Sequence, residues 1–269
     1  MKCYFAGAES YPEMLLRNKA TNWLIAYPSK KINQYRNKAN IFIDSGAWSV
    51  FTGKKKINHP DYIKFIKAIG MDNYASLDVI GNPEQSLINL KQEVKQGLNP
   101  IPCYHLGEKL YYLEYYIDNF DAIALGGIAR SPTKRKERFF DKCWSKISKK
   151  PTLKVHAYGV MSWELLSRFP FYSADGTSWF MGSKRGNIFP FGSDWVKTSQ
   201  LNICTNKQSG FDKAVNQLRG SFMDFCHHDT TDEERAKRGN IRNEYNVKKY
   251  LELEKFLTRL WKKKGVTFA

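Results

Sequence analysis

Long apolar runs are missing from this sequence, and cysteine is scarce. No stretch approaches the roughly 18 apolar residues that a membrane-spanning helix needs, and no apolar run of signal-peptide length precedes Glu9 and Glu13. The cysteines are odd in number and scattered, at Cys3, Cys103, Cys143, Cys204 and Cys226. We therefore expect no membrane segment, no disulfide framework and a cytoplasmic location.

Acidic residues are scarce relative to basic ones. Forty-three Lys and Arg residues against 26 Asp and Glu residues leave a formal net charge of +17 on 269 residues. This excess favours a polyanionic partner, above all nucleic acid. A basic surface that only keeps the protein soluble is the alternative. Hydrophobic residues make up 42% of the chain, enough for a full-sized core, which excludes global disorder.

Short β-rich apolar runs alternate with helix-forming stretches up to residue 175. The expected strands are Lys2–Ala6, Asn22–Tyr27, Asn40–Asp44, Tyr74–Asp78, Pro100–Tyr104, Ala122–Leu125, Leu153–Tyr158 and Phe171–Asp175. The helices expected between them are Tyr11–Asn18, Pro60–Ile69, Pro83–Gln96, Lys109–Ile117, Thr133–Lys149 and Trp163–Arg168. Some of these helices begin behind a polar cap, such as Asn82 or Ser162. Eight such alternations predict an α/β fold of the (β/α)8 TIM-barrel type, with a doubly wound open sheet as the alternative.

The alternation stops after residue 175. An irregular stretch, a weaker helix over Phe211–Arg219 and a charged segment precede an amphipathic helix from about Asn243 to Lys264, which we expect to dock on the barrel. No linker or repeat divides the chain. The sequence therefore predicts a single domain over residues 1–269, with the barrel at about 1–180 and a C-terminal extension at about 181–269.

Reactive side chains stand at the predicted carboxyl ends of several strands, where barrel enzymes hold their active sites. Three of these strands end in Asp44, Asp78 and Asp175, and another leads into His105. Taken singly, an aspartate there is more typical of a helix cap or a turn. Three carboxylates converging on one mouth favour glycosyl chemistry. In that chemistry one acid attacks the anomeric carbon and another handles the leaving-group proton.

Four motifs occur in order between about residues 40 and 186. They are Asp44-Ser45-Gly46-Ala47-Trp48, Ala124-Leu125-Gly126-Gly127-Ile128-Ala129, His156-Ala157-Tyr158-Gly159-Val160, and Ser173-Ala174-Asp175-Gly176 followed by Lys184-Arg185-Gly186. Together they resemble the tRNA-guanine transglycosylase superfamily, the base-exchange enzymes of queuosine and archaeosine biosynthesis. The resemblance covers more than half of the chain.

The resemblance implies a role for each matching position. Asp175 would be the nucleophile that forms a covalent glycosyl intermediate, Asp44 would transfer the proton of the departing guanine, and Asp78 would read the purine edge. His105 stands where the family has a base-contacting Gln. The other base-binding positions implied are the backbones of Gly126 and Gly127 and the stacking rings of Trp48 and Tyr158.

The zinc site of the tRNA-acting members, a Cys-x-Cys-x-x-Cys cluster with a distant His, is not matched. The candidates in the tail have other spacings and are Cys204, Cys226, His227 and His228. We therefore expect no cofactor, and a metal site of another kind at these four residues stays open. The chain also lacks room for the family's RNA-binding domain. It is thus more similar to the divergent DNA-acting branch of phages and bacterial DNA-modification clusters.

This resemblance implies DNA and a free 7-deazaguanine base as partners, and the host cytoplasm as the location if a phage encodes the chain. tRNA is the alternative polymer, and a homodimer is compatible with the sequence. Two other functions stay open: a non-catalytic nucleic-acid-binding partner of such an enzyme, and a hydrolase of free nucleosides.

Basic clusters follow the loops that carry these motifs. Those expected to contact the nucleic-acid backbone are Lys54 and Lys55, Lys134 and Arg135, and Lys184 and Arg185. The run Lys262-Lys263-Lys264 is expected to be solvated surface. Four aromatic residues, Trp179, Phe180, Phe189 and Phe191, either offer a stacking platform for unpaired bases or pack against the barrel.

Overall fold

The computed structural model describes residues 1–129, 131–189, 201–202 and 231–268, and it is built around one parallel sheet. The sheet has seven strands in the order β3-β2-β1-β7-β6-β5-β4. They are β1 (Lys2–Ala6), β2 (Asn22–Ala26), β3 (Asn40–Asp44), β4 (Cys103–His105), β5 (Ala122–Gly126), β6 (Lys154–Ala157) and β7 (Ser173–Gly176). A separate antiparallel pair is formed by β8 (Asn187–Ile188) and β9 (Leu201–Asn202).

Helices connect the strands and cover the sheet. They are α1 (Pro12–Arg17), α2 (Lys31–Tyr35), α3 (Ala47–Phe51), α4 (His59–Ile69), α5 (Pro83–Lys95), α6 (Leu110–Asn119), α7 (Thr133–Ile147), α8 (Trp163–Arg168), α9 (Ser178–Met181) and α10 (Asp232–Lys263). Two predicted caps are confirmed: Asn82 accepts the Gln85 N–H at 3.0 Å to start α5, and Ser162 accepts the Leu165 N–H at 3.5 Å to start α8.

The predicted strand Tyr74–Asp78 is reduced to two single bridges. Tyr74 bridges to Ile43 of β3, and Ala75 bridges to Ile101, just ahead of β4. The sheet therefore curls so that its two edge strands approach each other, but the described strands of this sheet number seven, not the eight expected.

Side chains of α5 explain why this strand ends early. Glu93 accepts the N–H of Leu77 at 3.0 Å, and Asn89 donates to the Leu77 carbonyl at 2.9 Å. Two residues after Leu77, Val79 donates its N–H to the Ser86 hydroxyl at 2.8 Å. Because these backbone groups are satisfied by side chains, the segment has no need of a neighbouring strand.

Proline delays the start of β4. The sequence predicted a strand from Pro100, whereas the structure begins it at Cys103. Neither Pro100 nor Pro102 has an N–H to donate, so continuous pairing begins only after the second proline.

Alternation along the strands divides the buried residues into two groups. One large cluster joins the outer face of the sheet to the helices and includes Phe5, Ile25, Ile43 and Phe140. A smaller cluster on the concave face contains Tyr4, Ala6, Leu24, Phe42 and Ala75, with Tyr158 against it. Residues two apart on a strand share a face, so the concave face also carries the last polar side chains of the strands.

The helix α10 docks as predicted but begins earlier than the expected Asn243. Its first turns bury polar side chains with partners: Arg242 donates to the Ser183 carbonyl at 3.0 Å, and Asn246 donates to the Trp179 carbonyl at 3.0 Å. The part of α10 before Asn243 is therefore helical, although it is charged and polar and has no hydrophobic periodicity. Further along, an apolar stripe is buried and comprises Val247, Tyr250, Leu253, Leu257 and Trp261. The predicted helix Phe211–Arg219 lies outside the described residues.

Within the described part of the chain, every helix is too short or too polar to cross a bilayer.

Candidate functional site

The three predicted aspartates lie at the carboxyl-terminal edge of the curled sheet. Asp44 is the last residue of β3, Asp175 is the third of the four residues of β7, and Asp78 follows the bridging residues 74–75. Parallel strands end at the same edge. Side chains alternate between the two faces of a strand, and Phe42, Ser173 and Tyr158 show which positions belong to the concave face. The sequence therefore located these acids correctly relative to the strands.

Asp175 is held by two donors. The side chain is almost buried, and its Oδ1 accepts the N–H of Gly159 at 3.0 Å and lies 3.2 Å from Nε2 of His156. His156 Nδ1 lies 2.9 Å from the Ser173 hydroxyl. In the tautomer that satisfies both contacts, Ser173 donates to Nδ1 and Nε2–H donates to Asp175. The carboxylate is thus fixed in orientation through Oδ1.

His156 is a site residue to which the sequence assigned no role. Its strand β6 pairs with β7 in the register His156 to Ser173, so Asp175 lies two residues further along the same face. The only signal was its place in the motif that runs from His156 to Val160. The contact itself depends on strand register, which one sequence does not reveal.

Asp78 belongs to a buried chain of charges. Its Oδ1 accepts the Ser45 hydroxyl at 2.6 Å, and its Oδ2 lies 2.8 Å from Nε2 of His105. The other ring nitrogen of His105 lies 2.9 Å from Glu108, whose second oxygen accepts the His105 backbone N–H at 3.0 Å. Burial disfavours the charged ring, but Cys103 and the hydrogen bonds to Asp78 and Glu108 outweigh it and raise the pKa of His105 well above its usual value.

His105 is therefore an imidazolium that donates to two carboxylates. The resemblance implied a direct contact between this residue and the base, but both of its ring nitrogens are already taken. What it does instead is fix the position of Asp78 and compensate its charge. Glu108, the second carboxylate of this arrangement, was not among the predicted site residues. Its spacing of three residues from His105 was the available signal.

Asp44 has the most perturbed environment of the three aspartates. Burial, and then the negative charges of Asp78 and Asp175, raise its pKa to about 7, against opposing hydrogen bonds from the Gly46 and Ser45 amides. Both other acids are therefore near enough to Asp44 for their charges to raise its pKa. A carboxyl group with a pKa near neutrality can both give and take a proton at physiological pH.

Tyr158 lies on the concave face near these acids, whose charges act on its hydroxyl. Its ring stacks on Phe42 at 6.0 Å between centroids, and its hydroxyl is buried with no hydrogen-bond partner among the described residues. Burial raises the pKa of this phenol well above its usual value, and the charges of Asp44, Cys103, Asp78 and Asp175 add to the effect. Tyr158 therefore packs inside the sheet, whereas Trp48, its predicted partner in stacking, is 39% exposed on α3.

Comparison with known proteins adds no relative to this geometry. No family model matches the chain, and no curated protein matches it. The chemistry of the site is therefore the guide to its reaction.

The glycine pair after β5 is required by packing. A Cβ on Gly126 would lie 2.9 Å from the Cys103 sulfur and 3.2 Å from the His105 ring, and one on Gly127, where φ is +70°, would lie 2.8 Å from the His105 Cβ. The Gly126 carbonyl accepts the Leu106 N–H at 3.0 Å. These two glycines therefore let β5 approach His105 closely, and the base contact predicted for their backbone groups stays a prediction.

One cluster has the donor types of a metal site. Ligand atoms of Asp78, Cys103 and His105 lie within 4.8 Å of one another. Burial raises the pKa of the Cys103 thiol to about 11, and the Asp78–His105 ion pair joins the other two. The cluster is thus satisfied as a neutral thiol beside an ion pair. The other candidates, Cys204, Cys226, His227 and His228, lie outside the described residues.

A cavity of about 330 Å³ opens at the opposite, amino-terminal edge of the sheet. Its lining includes Lys2, Asn40 and Lys154, which begin or nearly begin their strands, and His156 and Ser173 separate it from Asp175. None of the three aspartates lines it. The reactive groups and this cavity are therefore on different sides of the concave face.

The predicted basic residues are exposed on connections at the carboxyl edge. Those with described side chains are Lys54, Lys55, Lys134, Arg135 and Lys184, while the side chain of Arg185 lies outside the description. The aromatic platform proposed beyond β7 is wrong for Trp179 and Phe189, which are 0% and 2% exposed. Trp179 packs between Phe5 and Tyr11 and donates to the Ala6 carbonyl, so it belongs to the core. Phe191 lies outside the described residues.

Proposed function

We propose that this protein is a guanine transglycosylase that exchanges guanine in DNA for a 7-deazaguanine base through a covalent aspartyl intermediate. The observation that carries the proposal is the difference among the environments of three carboxyl groups at one edge of the sheet. Asp175 is oriented by two donors, Asp78 is paired with an imidazolium, and Asp44 has a pKa of about 7. Carboxyl groups in distinct environments are what a double-displacement reaction at an anomeric carbon requires.

In the first half of the reaction, Asp175 attacks C1′ of the target nucleotide. A C1′–O bond to the Asp175 carboxylate forms, and the C1′–N9 bond breaks with its electron pair passing to the guanine. Protonated Asp44 gives its proton to the departing base. His156 and the Gly159 amide hold Oδ1, so Oδ2 is the oxygen presented for attack.

In the second half, the incoming base reverses these steps. Its N9–H gives a proton to the Asp44 carboxylate as N9 bonds to C1′, and the Asp175–C1′ bond breaks. Both acids return to their starting states, so the exchange needs no redox step and no further reactant. A pKa near 7 suits Asp44 to both directions of proton transfer.

Asp78 is the group best placed to recognise the purine. Each of its oxygens has one partner inside the protein, Ser45 or His105, and retains a further lone pair for an N–H of the base. The buried hydroxyl of Tyr158 offers a second polar contact on the concave face. The base has to leave its stack to reach this depth, which requires a flipped or unpaired nucleotide.

The proposal extends to the fold. The bridges of Tyr74 and Ala75 lie where an eighth strand would join β3 to β4, and we propose that they complete a (β/α)8 barrel. Its mouth would be the edge at which the aspartates lie.

Base exchange tests the proposal. The protein is incubated with guanine-containing DNA or with tRNA and a free 7-deazaguanine base, and the nucleosides of the digested polymer are identified by mass spectrometry. We expect the deazaguanine nucleoside from DNA, and none with Asp175→Ala. The exposed Asp118 supplies a control, since Asp118→Asn should retain activity. Product from tRNA alone would reassign the polymer, and no product from either would refute the activity.

A further inference from the structure

A small helix beside the site exposes an unusual amount of apolar surface. The helix α3 begins three residues after Asp44 and buries Ala47, but it leaves Trp48 39%, Val50 39% and Phe51 59% exposed. The rings of Trp48 and Phe51 lie side by side, 5.8 Å between centroids and 33° between planes. Exposed aromatic surface of this kind marks a place where something docks.

Three consecutive lysines continue directly from this helix. Lys54, Lys55 and Lys56 are all exposed. None of them forms an ion pair with an acidic side chain in the part of the chain that the structure describes. Their charge is therefore available to an anionic partner. Together the exposed side chains of α3 and these lysines are called the α3 surface.

We propose that the α3 surface binds an unpaired stretch of nucleic-acid strand next to the nucleotide being exchanged. Unpaired strands are held by aromatic rings on which bases stack and by cations along the phosphates, and this surface supplies both within 12 residues of Asp44. It deepens the proposed function, on which it rests, by naming a single-stranded or locally opened polymer as the substrate. The net charge of +17 favours such a polyanion over a neutral partner.

The position of the α3 surface decides between nucleic acid and other partners. A membrane or a second protein could also cover aromatic rings flanked by lysines. Neither would need the patch to lie beside the three aspartates, whereas a strand that delivers one nucleotide to them must pass beside Asp44. The segment after β1 lies near this surface, because the charge of Lys55 opposes the rise that burial causes in the pKa of Glu9.

Binding of a labelled single-stranded 15-nucleotide DNA, followed by fluorescence anisotropy in the full chain, tests the inference. Phe51→Ala should weaken binding at least about fivefold, the effect of losing one stacked base. Phe51 is suited to this because its ring is exposed and truncating it leaves no cavity. Tyr111→Ala is the matched control, since Tyr111 is equally exposed, at 59%, on α6.

The lysines are tested through the salt dependence of the same binding. Replacing Lys54, Lys55 and Lys56 by Ser should reduce the slope of log K against log salt by about 2, as expected for three lost phosphate contacts. Lys262, Lys263 and Lys264 form a matched triplet at the other edge of the sheet, near the end of α10 that contacts Met1. Replacing them should leave the slope unchanged.

Each outcome decides the matter. Unchanged binding by Phe51→Ala, or equal losses in both lysine variants, would refute a strand site at α3. Binding to phosphatidylglycerol vesicles that depends on Phe51, without binding to DNA, would replace it by a membrane site. Base exchange is measured separately. If Phe51→Ala weakens DNA binding but the protein shows no base exchange, the strand site is retained and the proposed reaction is rejected. If the protein exchanges bases but Phe51→Ala binds DNA normally, the reaction is retained and the strand site is rejected.

Discussion

Single side chains give this site its chemistry by the way each charge is compensated. Asp78 has a buried imidazolium, and Asp175 has the Gly159 amide and the His156 ring as donors. Asp44 has only nearby amides, and it lies near the other two acids. The least compensated carboxyl group is the one that holds its proton to neutral pH, and proton transfer is accordingly assigned to it.

The raised pKa of Asp44 predicts a pH-dependent effect on stability. Between its usual pKa of 3.8 and the folded value of about 7, the folded state binds more protons than the unfolded state, so stability falls as pH rises through this window. Asp44→Asn removes the penalty. We expect the free energy of unfolding of this variant, relative to wild type, to increase by about 2 kcal/mol between pH 5 and pH 8.

Urea unfolding at the two pH values measures this difference. Asp118→Asn serves as the control, because Asp118 is exposed on α6, and its effect on stability should be the same at both pH values. A variant at position 44 whose advantage does not grow with pH would show that Asp44 is ionised in the folded protein at pH 5.

The identities of the acids were readable from the sequence, but their partners were not. Asp44 and Asp175 end apolar runs, and the ends of parallel strands meet at one edge whatever the register. The pairing of His105 with Asp78 and of His156 with Ser173 depends on strand register and side-chain direction, which a single sequence leaves undetermined. The stacking assigned to Tyr158 was inferred from a motif, and the structure places the ring against Phe42.

Among the secondary-structure elements, β5 has little room for a side chain at its end. Gly126→Ala would bring a methyl group to 2.9 Å from the Cys103 sulfur, so we expect a loss of about 1–3 kcal/mol in the free energy of unfolding. Gly239→Ala is the matched change on α10, where the new methyl group would meet only Arg242 at 3.9 Å. Since alanine is the better helix former, this variant should gain about 0.5–1 kcal/mol.

Chemical denaturation of both variants measures the contrast. A Gly126→Ala protein as stable as wild type would mean that β5 does not press against His105 as described.

Long elements were predicted well and short ones were not. Six helices and seven strands lie where apolar periodicity placed them, because each buries a face. The helices α2 and α3 have five residues each, too few for a periodic signal. Residues 76–78 were predicted as the end of a strand, yet both backbone groups of Leu77 bond to side chains of α5. That competition becomes visible only once the helix is in place.

The molecule as a whole combines a group of aspartates with a basic surface. The three aspartates lie at the edge of the sheet where Lys54, Lys134 and Lys184 are exposed. In the proposed function, the cations would hold the phosphates of a polymer, while the aspartates would act on an uncharged sugar and base. The charge of +17 would then retain the substrate, and the aspartates would convert it.

Capture of the covalent intermediate on Asp175 tests the central claim most directly. The protein is incubated with a guanine-containing DNA strand without incoming base, denatured, digested and analysed by mass spectrometry for a modified peptide. We predict a deoxyribosyl adduct on Asp175 that disappears when a 7-deazaguanine base is added before denaturation, and no adduct with Asp175→Ala. An adduct of undiminished yield in Asp175→Ala, or base exchange by that variant, would contradict the account.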